Sequence, residues 1–315
     1  MQKGIVIKST GQWYNVLLDN GDKIECRIPG KFRLNGMKLT NPVAVGDLVE
    51  VEKESVGKAG VIKNIRSREN YVVRQSPRKK HFLHLIASNI DQAIIVVTIL
   101  NPSLKWGFID RCLLMMEPHD IPSIIVVNKA DLLKEGDKEL YEYVNAVYES
   151  IGYQTRLVSA TTGEGIEELK NLLKDKTSLI CGQSGVGKST FIGAIEPSID
   201  QRIGDISDYT GKGQHTTTFA EMFDLSFGGK IIDTPGIKTL GFNNLSQQDV
   251  AHNFREFFIL SESCKFGDCT HQNEPKCAVK EALNEGAISE IRYSNYLNIL
   301  KNIEEQNAWE MNKDL

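Results

Sequence analysis

The sequence predicts an α/β fold of three domains: a β-barrel at residues 1–72, a parallel-sheet domain at 73–245 and a helical, metal-binding domain at 246–315. Three changes of pattern along the chain support this division. Short alternating strands come first, long apolar strands separated by helical stretches follow, and helices interrupted by a cysteine-rich segment complete the sequence. A chain of 315 residues is long enough for each domain to bury a core of its own.

The composition is that of a soluble globular protein, with 41% hydrophobic and 25% charged residues. No basic-then-apolar N-terminal segment suggests a signal peptide, and the longest apolar run, Ala93–Leu100, is too short to span a bilayer. We therefore expect a cytoplasmic monomer with no membrane partner. In that compartment the six cysteines are metal ligands or core residues rather than disulfides.

Short runs of β-forming residues, separated by turn-formers, occupy the first 70 positions and indicate a barrel of the oligonucleotide-binding (OB) type. The runs are Gly4–Ile7, Trp13–Leu18, Lys23–Ile28, Asp47–Val51 and Gly60–Ile65. Two interpretations remain open for Tyr14, Lys31, Phe32 and Arg33. These side chains either stack on and neutralise single-stranded nucleic acid, or fill and coat the barrel.

Charge is distributed unevenly along the chain. Residues 1–80 hold 16 Lys+Arg against 8 Asp+Glu, whereas the remainder holds 21 against 33, and the two parts give the net charge of −4. A basic module joined to an acidic body indicates an anionic polymer as partner, although a solvated basic surface without a partner gives the same pattern. Residues 71–90, which include Pro77–His81, are predicted to be a basic linker.

From Ile90 to about Phe242 the pattern becomes strand–helix–strand. Continuous apolar strands of this kind are buried in parallel sheets, and helical stretches such as Lys138–Ser150 and Ile166–Leu173 lie between them. The predicted strands are Ile90–Ile99, Ser123–Asn128, Thr155–Ser159, Thr177–Gly182 and Lys230–Asp233. This alternation predicts a doubly wound α/β domain.

A glycine-rich segment after the strand at 177 fits the pattern G-x-x-x-x-G-K-[ST]. Its residues are Gly182, Gln183, Ser184, Gly185, Val186, Gly187, Lys188, Ser189 and Thr190. The glycines let successive backbone N–H groups surround a β-phosphate at a helix N-terminus. Lys188 is placed to reach the β- and γ-phosphates, and the Ser189 hydroxyl is placed to ligate Mg²⁺. Because the pattern lies between a strand and a helix, the sequence predicts that a nucleoside triphosphate binds here.

Motifs at two other strand ends predict that the bound base is guanine. Asn128-Lys129-Ala130-Asp131 follows one strand, and Ser159-Ala160 ends the next. The Asp131 carboxylate can accept hydrogen bonds from guanine N1–H and the 2-amino group, which adenine does not offer. Asn128 can donate to N7, the Lys129 stem lies over the ring, and the Ser159-Ala160 segment supplies a backbone N–H for O6.

Two further segments predict contacts to magnesium and to the γ-phosphate. Asp233 and Gly236 belong to an Asp-Thr-Pro-Gly motif at a strand end. The carboxylate would hold Mg²⁺ through water, and the Gly236 N–H would contact the γ-phosphate. Thr217, in the polar loop Gly213–Thr218, is expected to complete the Mg²⁺ coordination together with Ser189 when GTP is bound.

The order of these motifs is unusual. In most GTP-binding domains the phosphate loop comes first and Asn-Lys-x-Asp comes last, whereas here the guanine motifs precede the phosphate loop. The same sheet results when the old termini are joined and the chain is opened elsewhere. The sequence therefore predicts a circularly permuted P-loop G domain. The chain passes from Asp233–Gly236 directly into the C-terminal region, so the second switch tethers that region to the nucleotide state.

Hydrolysis needs a group that orients the attacking water. Ile237 occupies the position after Asp-x-x-Gly, where many GTPases have a glutamine, and it cannot hydrogen-bond to water. His215, just ahead of the switch threonines, is the candidate catalytic residue because an imidazole can hold a water near neutral pH. The alternative is that a partner supplies this group. In either case, slow turnover is expected without a partner.

A cysteine-rich segment offers three thiolates and one imidazole, which is the tetrahedral set of a closed structural zinc site. The candidate ligands are Cys264, Cys269, His271 and Cys277. Zinc would fold a segment that is too small for a core of its own. The apolar surroundings of Cys26, Cys112 and Cys181 predict that they are core residues. Apolar residues at helical spacing from Ile288 to Ile303 predict a helix that packs back on the protein.

Together these motifs resemble one family, the bacterial ribosome small subunit-dependent GTPase A, over essentially the whole chain. The resemblance is carried by Asn128–Asp131, Gly182–Thr190, His215–Thr218, Asp233–Gly236 and the four candidate zinc ligands. It implies an N-terminal OB-type barrel, a circularly permuted G domain and a C-terminal zinc-binding domain. It also implies binding to the 30S ribosomal subunit and its 16S rRNA near the decoding region, and a role in late maturation. GTP hydrolysis to GDP would be stimulated by the subunit, and the family's histidine falls on His215.

Two other classes of function remain open at this point. In an RNA-binding scaffold, GTP only sets affinity and hydrolysis is incidental, so hydrolysis-dead protein would still support ribosome maturation. The GTPase hypothesis predicts instead that such protein stalls on the subunit. A P-loop ATPase or small-molecule kinase is disfavoured by Asn128 and Asp131, and competition between GTP and ATP distinguishes it.

Overall fold

The structure is a computed structural model that describes residues 1–29, 39, 41–53, 59–75, 82–199, 219–234 and 245–311, with side chains as far as residue 305. Within these ranges, no helix combines the length and the apolar character that a membrane crossing needs. Several residues singled out in the sequence lie outside the described ranges: Lys31, Phe32, Arg33, Pro77–His81, His215, Thr217 and Gly236.

The N-terminal strands close into a barrel, as the sequence predicts. They are β1 (Gln2–Ser9), β2 (Tyr14–Leu18), β3 (Lys23–Arg27), β4 (Leu48–Lys53) and β5 (Gly60–Ile65). The order β1-β2-β3-β5-β4 closes because β4 also pairs with β1. Alternate residues point inward, so Val6, Val16, Val51 and Ile62 are fully buried.

Tyr14 fills the barrel rather than facing a ligand. Its ring is fully buried, and its hydroxyl donates to Asn41 Oδ1. Burial, together with the charge of Asp47, raises the pKa of Tyr14 to about 12. Of the two interpretations left open for this residue, the structure supports the packing role.

Two paired strands replace the linker predicted at residues 71–90. Strands β6 (Tyr71–Gln75) and β7 (Leu83–Ser88) are antiparallel to each other. The linker prediction was wrong because it gave weight to the basic residues between the strands and not to the two short apolar segments beside them, in which Val72 and Ala87 are fully buried. The boundary proposed at residue 72 lies within β6.

Asp47 attaches this hairpin to the barrel. Its carboxylate accepts hydrogen bonds from Arg68 Nε and from Ser88 Oγ, each at 2.6 Å. The preceding residue, Gly46, has a φ of +95°, and a Cβ there would lie 2.1 Å from the Ser88 carbonyl oxygen. Only glycine therefore permits the backbone to approach this closely.

The middle of the chain forms a twisted sheet with helices on both faces, which confirms the predicted α/β class. Its strands are β8 (Gln92–Thr98), β9 (Ser123–Asn128), β10 (Gln154–Leu157), β11 (Thr177–Gly182), β12 (Glu221–Asp224) and β13 (Lys230–Asp233). Their order is β10-β9-β8-β11-β13-β12, and the pairs are parallel except that β12 is antiparallel to β13. The helices are α1 (Trp106–Met116), α2 (Glu135–Glu149), α3 (Ile166–Leu173) and α4 (Lys188–Ile195).

The C-terminal part is helical and packs on α1. Its helices are α5 (Gln247–His252), α6 (Arg255–Ser261), α7 (Ala278–Asn284) and α8 (Glu290–Met311). The predicted apolar stripe is confirmed, because Tyr296, Ile299, Leu300 and Ile303 are all buried in the main core. Cys26, Cys112 and Cys181 are also buried, as predicted.

The barrel and the α/β domain share one continuous sheet. Strand β1 pairs antiparallel with the edge strand β12, with Lys8 opposite Glu221. The same two residues form an ion pair at 2.6 Å. Strand β12 begins three residues after the predicted switch loop Gly213–Thr218 and lies beside β13, which ends at Asp233. The barrel is therefore attached close to the predicted nucleotide-sensing segments.

Candidate functional site

The predicted nucleotide motifs meet at the carboxyl edge of the sheet. Strands β9, β8, β11 and β13 are consecutive neighbours, and the motifs at 128, 182 and 233 follow three of them. In open α/β sheets this edge is where ligands bind. The permuted order of the chain thus leaves the spatial arrangement of the motifs intact.

The phosphate loop passes from β11 into the N-terminus of α4. Gly185 and Gly187 have φ values of +87° and +83°, which the loop needs in order to turn its N–H groups inward. A Cβ on Gly187 would lie 2.8 Å from Asn128 Nδ2. Val186 lies between these two glycines and is buried in the core that α3 and α4 form with one face of the sheet. The loop therefore presents a backbone cradle of the shape that a phosphate requires.

Lys188 and Asp233 lie together beside this cradle. The ammonium group donates to Asp233 Oδ1 and to the Thr234 carbonyl oxygen. The Thr234 hydroxyl donates to the Ile180 carbonyl oxygen at 2.9 Å, which fixes the end of β13 against β11. This pairing brings a cation and a carboxylate to the position where triphosphate and Mg²⁺ bind in P-loop proteins.

The Asn128 amide joins the guanine motif to the rest of the site. Its Nδ2 donates to the Val186 carbonyl oxygen at 2.9 Å, and its Oδ1 accepts from the Ala160 backbone N–H at 3.1 Å. Asp131 accepts a hydrogen bond from Ser159 Oγ, and the Ser159 side chain is fully buried. The predicted motifs at 128 and 159 are thus in direct contact.

Lys129 also connects the guanine motif to the phosphate loop. It contacts Asn101 as well, a residue that the sequence analysis did not single out. Its Nζ donates to the Gly185 carbonyl oxygen at 2.7 Å and to the Asn101 carbonyl oxygen. Asn101 lies in the loop between β8 and α1, where Thr98 Oγ1 also donates to the Pro102 carbonyl oxygen. An Asn-Pro pair after an apolar strand is a turn signal, so the loop itself was detectable from sequence, although its contact was not.

The four predicted zinc ligands converge in the C-terminal part. One donor atom from each of Cys264, Cys269, His271 and Cys277 lies within 4.8 Å of the others. His271 Nδ1 is 3.4 Å from Cys277 Sγ and 3.7 Å from Cys264 Sγ. Zinc bonds of about 2.0 to 2.3 Å place tetrahedral ligand atoms roughly 3.5 to 3.8 Å apart. The two distances from His271 lie close to this spacing, and a set of three thiols and one imidazole is one that zinc prefers.

Hydrogen bonds from outside the cluster hold its backbone in place. The Tyr293 and Tyr296 hydroxyls on α8 donate to the His271 and Thr270 carbonyl oxygens, each at 2.7 Å. Glu274 accepts hydrogen bonds from Thr270 N and Oγ1 and from Gln272 N. Although burial opposes ionisation of Glu274, these hydrogen bonds lower its pKa to about 2.

A buried ionic network, also missed from the sequence, joins the C-terminal helices to the α/β domain. Arg292 on α8 donates to Asp110 on α1 and to Glu256 on α6. The Tyr148 hydroxyl donates to the same Asp110 carboxylate at 2.8 Å. Asp110 and Arg292 are 1% and 2% exposed, so both charges depend on these partners.

The fold and this site define a P-loop protein of the GTP-binding class, with its strands connected in a circularly permuted order. The RsgA GTPase family profile matches residues 65–243, and the RsgA N-terminal domain profile matches residues 3–62. The chain therefore belongs to the RsgA GTPase family and is a GTP-hydrolysing enzyme.

Similarity to individual proteins extends over nearly the whole chain. A Flavobacterium psychrophilum protein named small ribosomal subunit biogenesis GTPase RsgA is 47% identical, over 96% of this chain and 93% of its own. The protein of the same name from Bacteroides fragilis is 45% identical, over 96% of this chain and 97% of its own.

Two crystal structures share the fold. YjeQ from Thermotoga maritima is 35% identical with a TM-score of 0.75, over 96% of this chain and 98% of its own. YloQ, described as a circularly permuted GTPase, is 29% identical with a TM-score of 0.71, over 97% of this chain and 96% of its own. These matches confirm the predicted family and fold class.

Proposed function

We propose that this GTPase binds the small (30S) ribosomal subunit and assists its late maturation, with GTP hydrolysis to GDP and phosphate stimulated by the subunit. The observation that carries the proposal is the similarity, at 47% identity over 96% of the chain, to a protein named for small ribosomal subunit biogenesis. The OB-type barrel, joined to the α/β domain through β1 and β12, supports contact with 16S rRNA.

The geometry of the sheet edge supports the following roles. Asp131, with Ser159 and Ala160 beside it, reads the guanine edge, while Asn128 and Lys129 hold the base-binding motif against the phosphate loop. The phosphate-binding residues are Gly182, Gln183, Ser184, Gly185, Val186, Gly187, Lys188, Ser189 and Thr190. Ser189 and Thr217 would ligate Mg²⁺, which neutralises phosphate charge when bound, and Asp233 would hold it through water.

His215 is proposed to orient the attacking water, and the Gly236 N–H to contact the γ-phosphate. Both proposals rest on sequence position, since these residues lie outside the described ranges. Cys264, Cys269, His271 and Cys277 are proposed to bind one structural zinc ion. We further propose a cytoplasmic monomer divided into the domains 1–72, 73–245 and 246–315.

The deciding experiment compares GTP hydrolysis by the full chain with and without isolated small ribosomal subunits, with ATP as a parallel substrate. We expect a rise of at least tenfold with subunits and GTP, and no comparable rise with ATP. His215→Ala, measured with saturating subunits, tests the water-orienting role. A rate that subunits leave unchanged would refute the proposed partner, while GTP selectivity alone would still support the guanine site.

A further inference from the structure

A cavity of about 210 Å³ lies where the barrel, the β6–β7 hairpin and the α/β domain meet. The end of β1 forms one wall, β6 and β7 form another, and Thr234 at the end of β13 lies on a third. None of the described residues proposed to bind the nucleotide or zinc lines this cavity, although Thr234 belongs to the same Asp-Thr-Pro-Gly motif as Asp233.

Two basic side chains face this cavity from the hairpin. Arg74 on β6 lies directly opposite His84 on β7 in the antiparallel register, and both line the cavity. Residues directly opposite each other share a face of the sheet, where like charges are destabilising. Burial lowers the pKa of both groups, and Arg74 lowers that of His84 further. Arg74 is therefore the cation that faces the cavity, beside an imidazole whose lowered pKa favours its neutral form.

The described part of the hairpin, residues 71–75 and 82–88, supplies no acid to neutralise Arg74, because it contains no Asp or Glu. Among the described residues, no carboxylate forms an ion pair with Arg74.

Acidic residues on the adjoining elements already have cationic partners. Asp47 pairs with Arg68, Glu221 pairs with Lys8, and Asp233 pairs with Lys188. These carboxylates are therefore occupied, and the charge of Arg74 remains available to a ligand.

Polar and apolar groups complete the lining. Ser9 Oγ accepts from Asn41 Nδ2 at 2.8 Å, so its own proton can donate towards the cavity. Leu85 and Ile86 supply apolar wall, which strengthens charge–charge interactions by excluding water. A mostly apolar pocket with a few convergent polar groups is typical of a ligand site.

We propose that this cavity binds a phosphate group, with Arg74 as the principal cation and His84 and Ser9 as further hydrogen-bond donors. Donors from the hairpin and the barrel approach from different directions, which suits a tetrahedral anion that has acceptor oxygens on every side. The phosphate belongs either to a free anion or to an RNA backbone. The site is separate from the phosphate loop and does not depend on the proposed ribosomal partner.

An anion in the cavity would link the barrel to the carboxyl edge of the sheet, where the nucleotide motifs lie. Thr234 follows Asp233, whose carboxylate contacts Lys188. An anion between Arg74 and the end of β1 thus lies against the residue next to the proposed magnesium ligand. Binding here would hold the barrel, the hairpin and the end of β13 in one arrangement.

The test is equilibrium dialysis of the full chain with radiolabelled orthophosphate. Mg²⁺ and a non-hydrolysable GTP analogue are added at saturation, so that the phosphate loop is filled. We expect one phosphate bound per chain and at least a tenfold loss of affinity in Arg74→Gln. Lys23→Gln, which removes an exposed lysine on the barrel strand β3, is the matched control and should retain wild-type affinity.

A second assay separates the two sources of phosphate. Fluorescence anisotropy with a labelled eight-residue oligouridylate measures backbone binding under the same conditions. A loss at Arg74→Gln of at least tenfold beyond that at Lys23→Gln assigns the site to RNA, whereas a loss seen only in dialysis assigns it to the free anion. If Arg74→Gln behaves like Lys23→Gln in both assays, the proposal is wrong.

Discussion

At the scale of single residues, Gly187 has the strictest requirement in the phosphate loop. Its φ of +83° disfavours any side chain, and a Cβ would lie 2.8 Å from Asn128 Nδ2. Gly187→Ala therefore strains the backbone and displaces Asn128 from its hydrogen bonds to Val186 and Ala160. We predict a fall in GDP affinity of at least tenfold, or about 1.4 kcal/mol, in titrations with a fluorescent GDP analogue.

Gly163→Ala is the matched control for this variant. Gly163 has nearly the same φ, +85°, but a Cβ there meets nothing within 4 Å. It should lower the free energy of unfolding by about 1 kcal/mol through backbone strain alone and leave GDP affinity near that of the wild type. Equal losses of affinity in both variants would show that the contact with Asn128 is not the cause.

Asp131 is predicted to set the choice of base. Its carboxylate accepts from Ser159 Oγ, and its remaining lone pairs are available for the two N–H donors of guanine. In Asp131→Asn, an amide N–H replaces one acceptor and would oppose the 2-amino group. We predict a loss of GTP affinity of roughly 100-fold, because a guanine donor is left without its partner.

A xanthine nucleotide provides the converse test of the role of Asp131 in base choice. Xanthine has a carbonyl oxygen in place of the 2-amino group, so the new amide of Asp131→Asn can donate to it. Competition experiments should show that the variant prefers xanthosine triphosphate to GTP, while the control Glu135→Gln, at a side chain 93% exposed, keeps the wild-type order. A variant that still prefers GTP would contradict the proposed role of Asp131.

At the scale of elements, Glu274 organises the loop that carries the candidate zinc ligands. Its folded-state pKa of about 2 lies below the ordinary carboxyl value, since hydrogen bonds from Thr270 and Gln272 outweigh burial. The stabilisation is therefore fully present above about pH 4.5 and is lost as the pH falls towards 2. We predict that Glu274→Gln lowers the free energy of unfolding by roughly 1–2 kcal/mol at pH 7.

The pH dependence checks the physical cause of this effect. Urea unfolding of the zinc-loaded protein should give the same difference between wild type and Glu274→Gln from pH 8 to pH 5, because the carboxylate stays ionised throughout. Glu262→Gln, at an exposed position two residues before Cys264, should have no measurable effect. If the difference in free energy of unfolding between wild type and Glu274→Gln disappears between pH 8 and pH 6, the Glu274 carboxylate is not its source.

Elements with a clear period could be predicted from sequence, and contacts between distant elements could not. The bounds of α3 and β11 coincide with the prediction, because helical spacing and a strand–loop–helix motif define them locally. The β6–β7 hairpin was missed, because the basic residues between its strands suggested a linker. From the sequence alone, its apolar residues could not be recognised as core positions. In the structure, Val72 and Ala87 pack in the main core.

In the candidate site, too, locally encoded motifs could be predicted from sequence and contacts between distant residues could not. Among the described residues, the motifs at 128, 159, 182 and 233 lie at one edge of the sheet and the four candidate zinc ligands lie together, because the spacing of each set reflects its chemistry. Asp110 and Arg292 were not identified, since they are 182 residues apart and each looks like an ordinary charge on an amphipathic helix. Only the folded chain shows that both are buried.

At the scale of the whole molecule, different contacts join the three parts. The barrel is joined to the α/β domain by the β1–β12 pairing in the continuous sheet, and to the β6–β7 hairpin by the hydrogen bonds of Asp47. The network around Arg292 joins the α/β domain to the C-terminal helical part by charge-assisted hydrogen bonds. Because this network is buried, we expect the α/β domain and the C-terminal helical part to unfold together.

Replacement of Arg292 tests this coupling. Arg292→Met leaves Asp110 and Glu256 buried without their cation, and we predict a loss of about 3–5 kcal/mol in the free energy of unfolding by urea. Lys301→Met, at a side chain 71% exposed on the same helix, is the matched control and should change stability by less than about 0.5 kcal/mol. Combining Arg292→Met with Asp110→Asn and Glu256→Gln should recover part of the loss, because no buried carboxylate then remains ionised. If Arg292→Met costs no more than Lys301→Met, the network does not hold the C-terminal helical part to the α/β domain.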